Sequence, residues 1–411
     1  MKICLNDMLY AFSCTLDCVE HDLLGITTRH SERVAYMSSQ IGKNMGLDER
    51  GLLDLSACAI LHDNALGEYI QEEVDKGNEI LTHKENLGDF ALHCVLGERN
   101  AREIPFFGDV ENVILYHHEN ADGSGPFGKK ADEVPLYAAL IHLTDQLDSV
   151  FDFTVMTESK YRELVAFLRE KTGSLYAPAH AEAFLDTFGL EKFMEMAAND
   201  IDALLAGSLP RIFADYRPAQ VVAFSTIFAR IADYKSRFTR NHSVGIAEKA
   251  GIMGAYYRFD DELRAKFYLA AALHDIGKLM VDIEVLEKPE RLTAEEYHAI
   301  QKHAVYSHNI LRRVQGFEDI TLWASRHHEK LNGKGYPFGL SAQDLGFYER
   351  LMGCLDIYQA LVEDRPYKDK MTHRDAVMEL TYMARHGLID ENIVEDINDA
   401  LKEQNAPADC P

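Results

Sequence analysis

The sequence predicts an all-α protein made of two tandem helical domains. Stretches such as "DELRAKFYLAAALHDIGKL" and "AEEYHAIQKHAVYSHNILRRV" repeat apolar residues every three or four positions, and no stretch alternates convincingly with a period of two. A chain of 411 residues also exceeds what one hydrophobic core usually serves. The helical pattern is interrupted in "AGSLPRIFADYRPAQ" by Gly207, Pro210 and Pro218. We therefore predict one domain at 1–208 and a second at 215–411.

The composition limits the kinds of molecule that the protein is expected to bind. The net charge of −25 opposes binding to polymeric nucleic acid, although a local pocket that holds metal ions still suits a small anionic ligand. The chain shows no apolar run long enough for a bilayer and no secretion signal at its start, so we expect no membrane partner and a cytoplasmic protein. Seven irregularly spaced cysteines do not resemble a disulfide framework.

Histidines and aspartates carry an internal repeat. Seven of them in the second half have counterparts, in the same order, 210 to 212 residues earlier (242 minus 30 is 212; 303 minus 93 is 210). The second-half set is His242, His274, Asp275, His303, His327, His328 and Asp356. The first-half set is His30, His62, Asp63, His93, His117, His118 and Asp145. The segments "HHENADGSGPFG" and "HHEKLNGKGYPFG" also align when one residue, Tyr336, is absent from the first, which indicates an ancient duplication of a whole domain.

This residue set is typical of a site for two metal ions. Imidazole nitrogens and carboxylate oxygens suit divalent transition metals, and the set contains no thiolate. Neighbours on a helix point about 100° apart, so one of His274 and Asp275 can ligate a single metal while the other bridges to the second. Two ions about 3.5–4 Å apart can activate a bridging hydroxide for attack on phosphorus, which predicts phosphoester hydrolysis. A lone pair such as His21-Asp22 carries little weight, and a buried structural network is the alternative for the whole set.

The second half resembles the HD-GYP phosphodiesterases of bacterial signalling. The resemblance lies in "LHDIGKLMVDIEVLEKP", "KHAVYSHNIL", "HHEKLNGKGYPFGL" and "DIYQALVEDRPYK", which follow His242 in the family's order. It implies hydrolysis of cyclic di-GMP or of 3'3'-cyclic GMP-AMP, with the seven second-half residues as metal ligands and Asp275 bridging. It also implies two ions, iron or manganese, because Phe238 stands where some members place a glutamate for a third metal.

The resemblance further assigns residues to the substrate. Lys278 would reach the scissile phosphate and stabilise charge in the transition state. Arg365 and Lys368 would contact phosphate and guanine. Gly335 and Tyr336 belong to the loop that names the family, where Tyr336 would stack on or hydrogen-bond to the substrate. An ordinary turn is the alternative for that loop.

The first half keeps the seven ligand types but has lost the substrate residues. Leu66 stands where the second half has Lys278, the loop has no tyrosine, and no "RPYK" follows Asp145. We favour a degenerate domain that retains the capacity to hold metal and serves regulation or dimerisation. A second, altered active site and a purely structural remnant are the alternatives.

Two rival functions remain for the whole chain. One is an HD phosphohydrolase of another nucleotide or phosphomonoester, and the other is a non-catalytic module that binds a cyclic nucleotide. The tyrosine loop and "RPYK" speak against the first rival, and Lys278 speaks against the second. The sequence leaves open the choice of cyclic dinucleotide, the metal and the final product.

Overall fold

The chain folds into two compact units. The structure is a computed structural model that describes residues 1–24, 29–76, 91–236, 241–288, 290–364 and 370–402. One unit comprises Cys4–Phe213, and the other comprises Ala214–Pro411 together with Met1–Ile3. The three N-terminal residues join the second unit because β1 (Lys2–Ile3) pairs in antiparallel fashion with β2 (Ala214–Asp215).

The described residues are dominated by α-helices, which confirms the predicted fold class. Their only strands are β1 and β2, each of two residues. The helices of the first unit are α1 (Leu5–Leu24), α2 (His30–Asn44), α3 (Glu49–Ile60), α4 (Leu66–Asp75), α5 (Ala91–Ala101), α6 (Leu136–Val150), α7 (Glu158–Lys171), α8 (Pro178–Thr187), α9 (Leu190–Ala198) and α10 (Ile201–Ser208).

The second unit repeats the order of the helices that carry the histidines and aspartates. Its helices are α11 (Pro218–Asp233), α12 (His242–Tyr256), α13 (Asp261–Leu273), a 3₁₀ helix (Ile276–Met280), α14 (Ile283–Leu286), α15 (Ala294–Leu311), α16 (Glu318–Ser325), α17 (Phe347–Val362), α18 (His373–Arg385) and α19 (Glu391–Ala400). No helix in the described ranges has the length and apolar character needed to cross a membrane.

The first histidine of each set is also the first residue of a helix. In the second unit, Asn241 precedes α12 in the left-handed conformation (φ 77°) and offers no side-chain cap. The buried carboxylate of Asp233 instead accepts the Ser243 N–H at 3.0 Å. In the first unit Asp17 does the same for Ser31, also at 3.0 Å. Because these carboxylates satisfy N–H groups that a helix start leaves open, they fix where the first histidine enters the site.

The His274-Asp275 pair lies beyond the end of a helix, not on one as predicted. Helix α13 ends at Leu273, and the chain turns into the 3₁₀ helix. The reason is a close approach to α15, where a Cβ on Gly277 would lie 2.1 Å from the His303 carbonyl oxygen. Ser307 joins the two segments, since its Oγ accepts the Gly277 N–H and donates to the His274 carbonyl. This contact brings the His274-Asp275 pair up to His303.

Candidate metal centres

Five segments of the second unit bring the predicted ligands together. Each segment contributes one or two side chains to a common point, and the residues are buried except His328, whose side chain is 24% exposed. They come from the start of α12, the turn after α13, the middle of α15, the turn after α16 and the middle of α17, and they are His242, His274, Asp275, His303, His327, His328 and Asp356.

Asp275 lies between two groups of imidazoles. Its Oδ2 is 3.1 Å from His274 Nε2 and 3.7 Å from His242 Nε2. Its Oδ1 is 3.2 Å from His303 Nε2 and 3.8 Å from His327 Nε2. Each oxygen therefore faces a different pair of histidines, which is the geometry that a bridging carboxylate needs.

A second carboxylate closes the set. Asp356 Oδ1 lies 3.2 Å from His242 Nε2, and its Oδ2 lies 3.4 Å from His328 Nδ1. Among the described residues of this unit, three overlapping groups could hold a metal ion with ligand atoms within 4.8 Å of one another. They are His242 with His274 and Asp356, His303 with His327 and His328, and His274 with Asp275 and His327.

Buried polar atoms without partners support this fit. His274 Nε2 and Asp275 Oδ1 are inaccessible to water and have no hydrogen-bond partner. Leaving such atoms unsatisfied costs about 1–3 kcal/mol each. A metal ion between them would satisfy both atoms, so the residues present fit the predicted cofactor.

Backbone carbonyls orient three of the imidazoles. The Nδ1 atoms of His274, His303 and His327 lie 2.7, 2.6 and 2.5 Å from carbonyl oxygens of their own chain segments. A carbonyl only accepts a hydrogen bond, so each Nδ1 donates and each Nε2 keeps its lone pair. All three Nε2 atoms are thereby prepared to ligate a metal.

The protonation states agree with that role for most of the histidines. Burial lowers the pKa of His327 to about 3 and that of His303 to about 4, which keeps both imidazoles neutral. Burial alone would raise the pKa of Asp275, but the charges of His274 and Lys278 hold it well below its usual range. His242 differs, because its hydrogen bonds to Asp356 and Glu363 outweigh burial and raise its pKa to about 9.

Glu363 is a functional residue that the sequence reasoning missed. Its Oε2 accepts a hydrogen bond from His242 Nδ1 at 2.9 Å and another from the Gln359 side-chain amide at 2.9 Å. It follows Asp356 by seven residues, close to two helical turns, and is the first residue after α17, so it leaves the helix on the side that carries Asp356. That spacing was the signal available in the sequence.

We expect Glu363→Ala to weaken metal binding by about 10- to 100-fold, because a histidine ligand loses the carboxylate that orients it and increases its basicity. Competition with a chromophoric chelator measures the affinity for Mn²⁺. The matched control is Asp364→Ala, which removes the neighbouring carboxylate, a side chain 75% exposed to solvent. Equal affinities for the two variants would rule out this role.

The proposed substrate residues of the second unit lie next to the ligands where the structure describes them. Lys278 Nζ is 2.5 Å from Asp275 Oδ2. The Tyr336 ring lies 4.6 Å from the His328 ring and 6.3 Å from the His303 ring, measured between centroids. Arg365, Lys368 and also Phe238 lie outside the described residues.

The loop before Tyr336 depends on a glycine. A Cβ on Gly335 would lie 2.4 Å from Glu329 Cα, so a larger residue would collide with the backbone. The Glu329 carboxylate accepts N–H hydrogen bonds from Phe338 at 2.6 Å and Leu340 at 2.8 Å. The loop is therefore a fixed structure that holds Tyr336 over the imidazoles, not a simple connecting turn.

The first unit assembles its seven predicted residues in a similar way. Asp63 Oδ1 lies 3.2 Å from His93 Nε2 and 3.5 Å from His117 Nε2. Asp145 Oδ1 lies 3.2 Å from His30 Nε2, and its Oδ2 lies 3.8 Å from His118 Nδ1. His30, His62 and Asp145 form another group able to hold a metal ion.

The orienting contacts of the first unit differ from those of the second. His30 Nδ1 lies 2.6 Å from Asp148 Oδ2, and the Arg33 guanidinium donates to both oxygens of Asp148. In the second unit, Glu363 replaces Asp148 as the carboxylate behind the first histidine, and Gln359 replaces Arg33 as the side chain that donates to that carboxylate. The duplicated sites therefore keep a carboxylate behind the first histidine and supply it from different positions of the chain.

The apparatus for substrate is absent from the first unit at the positions that the structure describes. Leu66, at the position of Lys278, is 1% exposed and packs in an apolar cluster with Ala65, Tyr69, Ile70 and Leu96.

The loop after His118 keeps two features of its counterpart in the second unit. Glu119 accepts hydrogen bonds from backbone N–H groups, and Gly125 packs against Glu119. The loop is conserved in structure between the two halves although its tyrosine is missing.

Comparison with known proteins identifies the family. Residues 27–150 and 226–393 each match a family model described as the HD domain. Over 404 residues the chain is 26% identical to the 3'3'-cGAMP-specific phosphodiesterase 1 of Vibrio cholerae, with 96% of this chain and 91% of that protein covered. The chain is a tandem HD-domain protein of the HD-GYP type.

Other relatives match parts of this tandem HD-domain protein. It is 31% identical over 281 residues to the 3'3'-cGAMP-specific phosphodiesterase 3 of V. cholerae, covering 68% of this chain and 60% of that protein. It is also 31% identical over 169 residues to the cyclic di-GMP phosphodiesterase response regulator RpfG of Xanthomonas campestris, covering 41% of this chain and 44% of that protein.

A solved structure shares the fold along almost the whole chain. It is the crystal structure of the cyclic GMP-AMP phosphodiesterase V-cGAP3 of V. cholerae, with a TM-score of 0.66 at 24% identity, over 99% of this chain and 100% of that one.

Proposed function

We propose that the tandem HD-domain protein is a metal-dependent phosphodiesterase that hydrolyses a cyclic dinucleotide in its second domain. The observation that carries the proposal is Asp275, whose two oxygens face two separate groups of histidines while Lys278 and Tyr336 border the same point. A set of ligands alone would suit many metalloproteins. The added cation and aromatic ring suit a substrate with both a phosphate and a base.

We propose two divalent ions, iron or manganese, for this centre. Five imidazoles and two carboxylates suit such metals, and no thiol belongs to the set. When bound, a pair of ions would lower the pKa of a water and neutralise charge on the attacking and leaving oxygens. His242, His274, Asp275, His303, His327, His328 and Asp356 would hold the ions.

The remaining residues would bind and orient the substrate. Lys278 Nζ, now paired with Asp275, would donate to a non-bridging phosphate oxygen and stabilise the charge that develops there. The Tyr336 ring would contact a base at the edge of the site next to His328, the most exposed ligand. By the family resemblance, Arg365 and Lys368 would contact phosphate and guanine.

Both cyclic di-GMP and 3'3'-cyclic GMP-AMP are proposed substrates. Cyclic GMP-AMP has the additional support of a relative that matches along nearly the whole tandem chain and bears that specificity in its name. We propose that the first domain, 1–208, does not hydrolyse substrate, because Leu66 gives it no cation at the position of Lys278. It would act in regulation or dimerisation.

The test is a comparison of substrates with full-length protein loaded anaerobically with Fe²⁺ or Mn²⁺. Products from cyclic di-GMP, 3'3'-cyclic GMP-AMP, GTP and p-nitrophenyl phosphate are separated by chromatography. We expect metal-dependent cleavage of one or both cyclic dinucleotides and little of the other two. Faster cleavage of GTP or of the monoester would favour a general HD phosphohydrolase. Binding of a cyclic dinucleotide without cleavage, by folded and metal-loaded protein, would favour a binding module.

A further inference from the structure

A cysteine lies within the histidine cluster of the first domain. Cys94 follows His93 on α5, is 0% exposed, and places its Sγ 3.4 Å from His93 Nε2. His93, Cys94, His117 and His118 can each supply one ligand atom such that all four atoms lie within 4.8 Å of one another. The ligand set predicted from the sequence contained no thiolate, and the structure places the Cys94 thiol among the histidines of this domain.

An independent atom points into the same cluster. Asp63 Oδ1 is buried, has no hydrogen-bond partner, and lies 3.2 Å from His93 Nε2 and 3.5 Å from His117 Nε2. A cation at the cluster would satisfy this oxygen. The thiol is therefore one of four groups that could ligate an ion, with the buried Asp63 carboxylate beside them to balance its charge, and it is not an isolated cysteine.

The second domain provides the natural comparison. The counterpart of Cys94, at the offset of 210 that relates His93 to His303, is Ala304, which is also 0% exposed. The corresponding group there consists of three imidazoles only, His303, His327 and His328. The two clusters thus differ by a thiol in place of a methyl group.

A thiol at this position would change which metal the cluster prefers and how reactive that metal is. A thiolate is a soft ligand that favours zinc over manganese, and three imidazoles with one thiolate complete a tetrahedral set. A tetrahedral site filled by four side chains leaves no coordination position for a reacting water. We propose that the first domain binds one Zn²⁺ through His93, Cys94, His117 and His118 as a closed structural centre. The proposal does not depend on which substrate the second domain cleaves.

The experiment is Co²⁺ substitution in the full-length chain. Protein stripped by a chelator under reducing, anaerobic conditions is reconstituted with Co²⁺, and the near-ultraviolet spectrum is recorded for the thiolate-to-cobalt charge-transfer band. We expect the band in the wild type and in the His274→Ala, Asp275→Ala double variant, which disrupts only the second domain. We expect Cys94→Ala to lose it. Cys58→Ala is the matched control, since Cys58 is a buried cysteine of the same domain outside the cluster, and this variant should keep the band.

Two results would overturn the proposal: a folded, cobalt-loaded wild type without the band, or a band that survives in Cys94→Ala. Circular dichroism checks folding, and metal analysis checks loading. If Cys94→Ala does not fold, zinc-edge X-ray absorption of the His274→Ala, Asp275→Ala chain decides the question. Sulfur at about 2.3 Å from zinc supports the proposal, and a shell of nitrogen and oxygen alone refutes it.

Discussion

Replacing His274 and Asp275 together with alanine should reduce hydrolysis of a cyclic dinucleotide by about a thousandfold or more. The two side chains link both histidine groups of the second domain, since Asp275 faces His242 and His274 through one oxygen and His303 and His327 through the other. Their removal takes away the metals together with several kcal/mol of transition-state stabilisation, and each 1.36 kcal/mol corresponds to a tenfold change in rate. Steady-state kinetics with either cyclic dinucleotide measures the loss.

The duplication supplies the control for this experiment. His62→Ala with Asp63→Ala is the same double change in the first domain, where Leu66 stands at the position of Lys278. We expect this variant to retain much of the wild-type rate. Equal losses from the two double variants would contradict the assignment of catalysis to the second domain.

Lys278→Met should lower kcat by about 100- to 1,000-fold, the range found when one donor to a developing oxyanion is removed. Methionine keeps most of the length and apolar surface of the side chain and removes its charge. Lys278 Nζ contacts Asp275 Oδ2, so metal content must be measured together with the rate. The prediction is a loss of kcat at unchanged metal occupancy.

The control for Lys278 is a lysine in the neighbouring loop. Lys334 is exposed and lies two residues before Tyr336, so Lys334→Met removes a nearby charge from the surface of the same loop. We expect kcat to change little in this variant. A loss of bound metal in Lys278→Met that accounts for the whole fall in rate would assign the lysine to the support of Asp275 and not to the phosphate.

The sequence predicted the fold class, but it predicted only part of the candidate site. Helical periodicity is a local property, so it predicted the all-α fold. The order of the ligands was visible because the duplication preserves it, and the structure gathers all seven second-half residues at one point. The loss of Lys278 from the first half was visible as Leu66, and the structure adds that Leu66 is part of an apolar core.

The features that the sequence did not reveal depend on contacts between distant segments. Helix α13 ends at Leu273 because Gly277 packs against the carbonyl of His303, and no local pattern reports that approach. Glu363 contacts His242 across 121 residues of sequence. Cys94 gains its significance from His117 and His118, which reach it from another part of the chain.

The most direct test of the account is the activity of one preparation before and after metal is restored. Full-length protein is stripped by a chelator, and hydrolysis of 3'3'-cyclic GMP-AMP and cyclic di-GMP is followed while Fe²⁺ or Mn²⁺ is added and bound metal is measured. We expect the stripped protein to be inactive. Hydrolysis of at least one cyclic dinucleotide should rise with metal bound to the second domain and should be absent from the His274→Ala, Asp275→Ala variant. Folded protein with both metal groups filled that cleaves neither substrate would contradict this expectation.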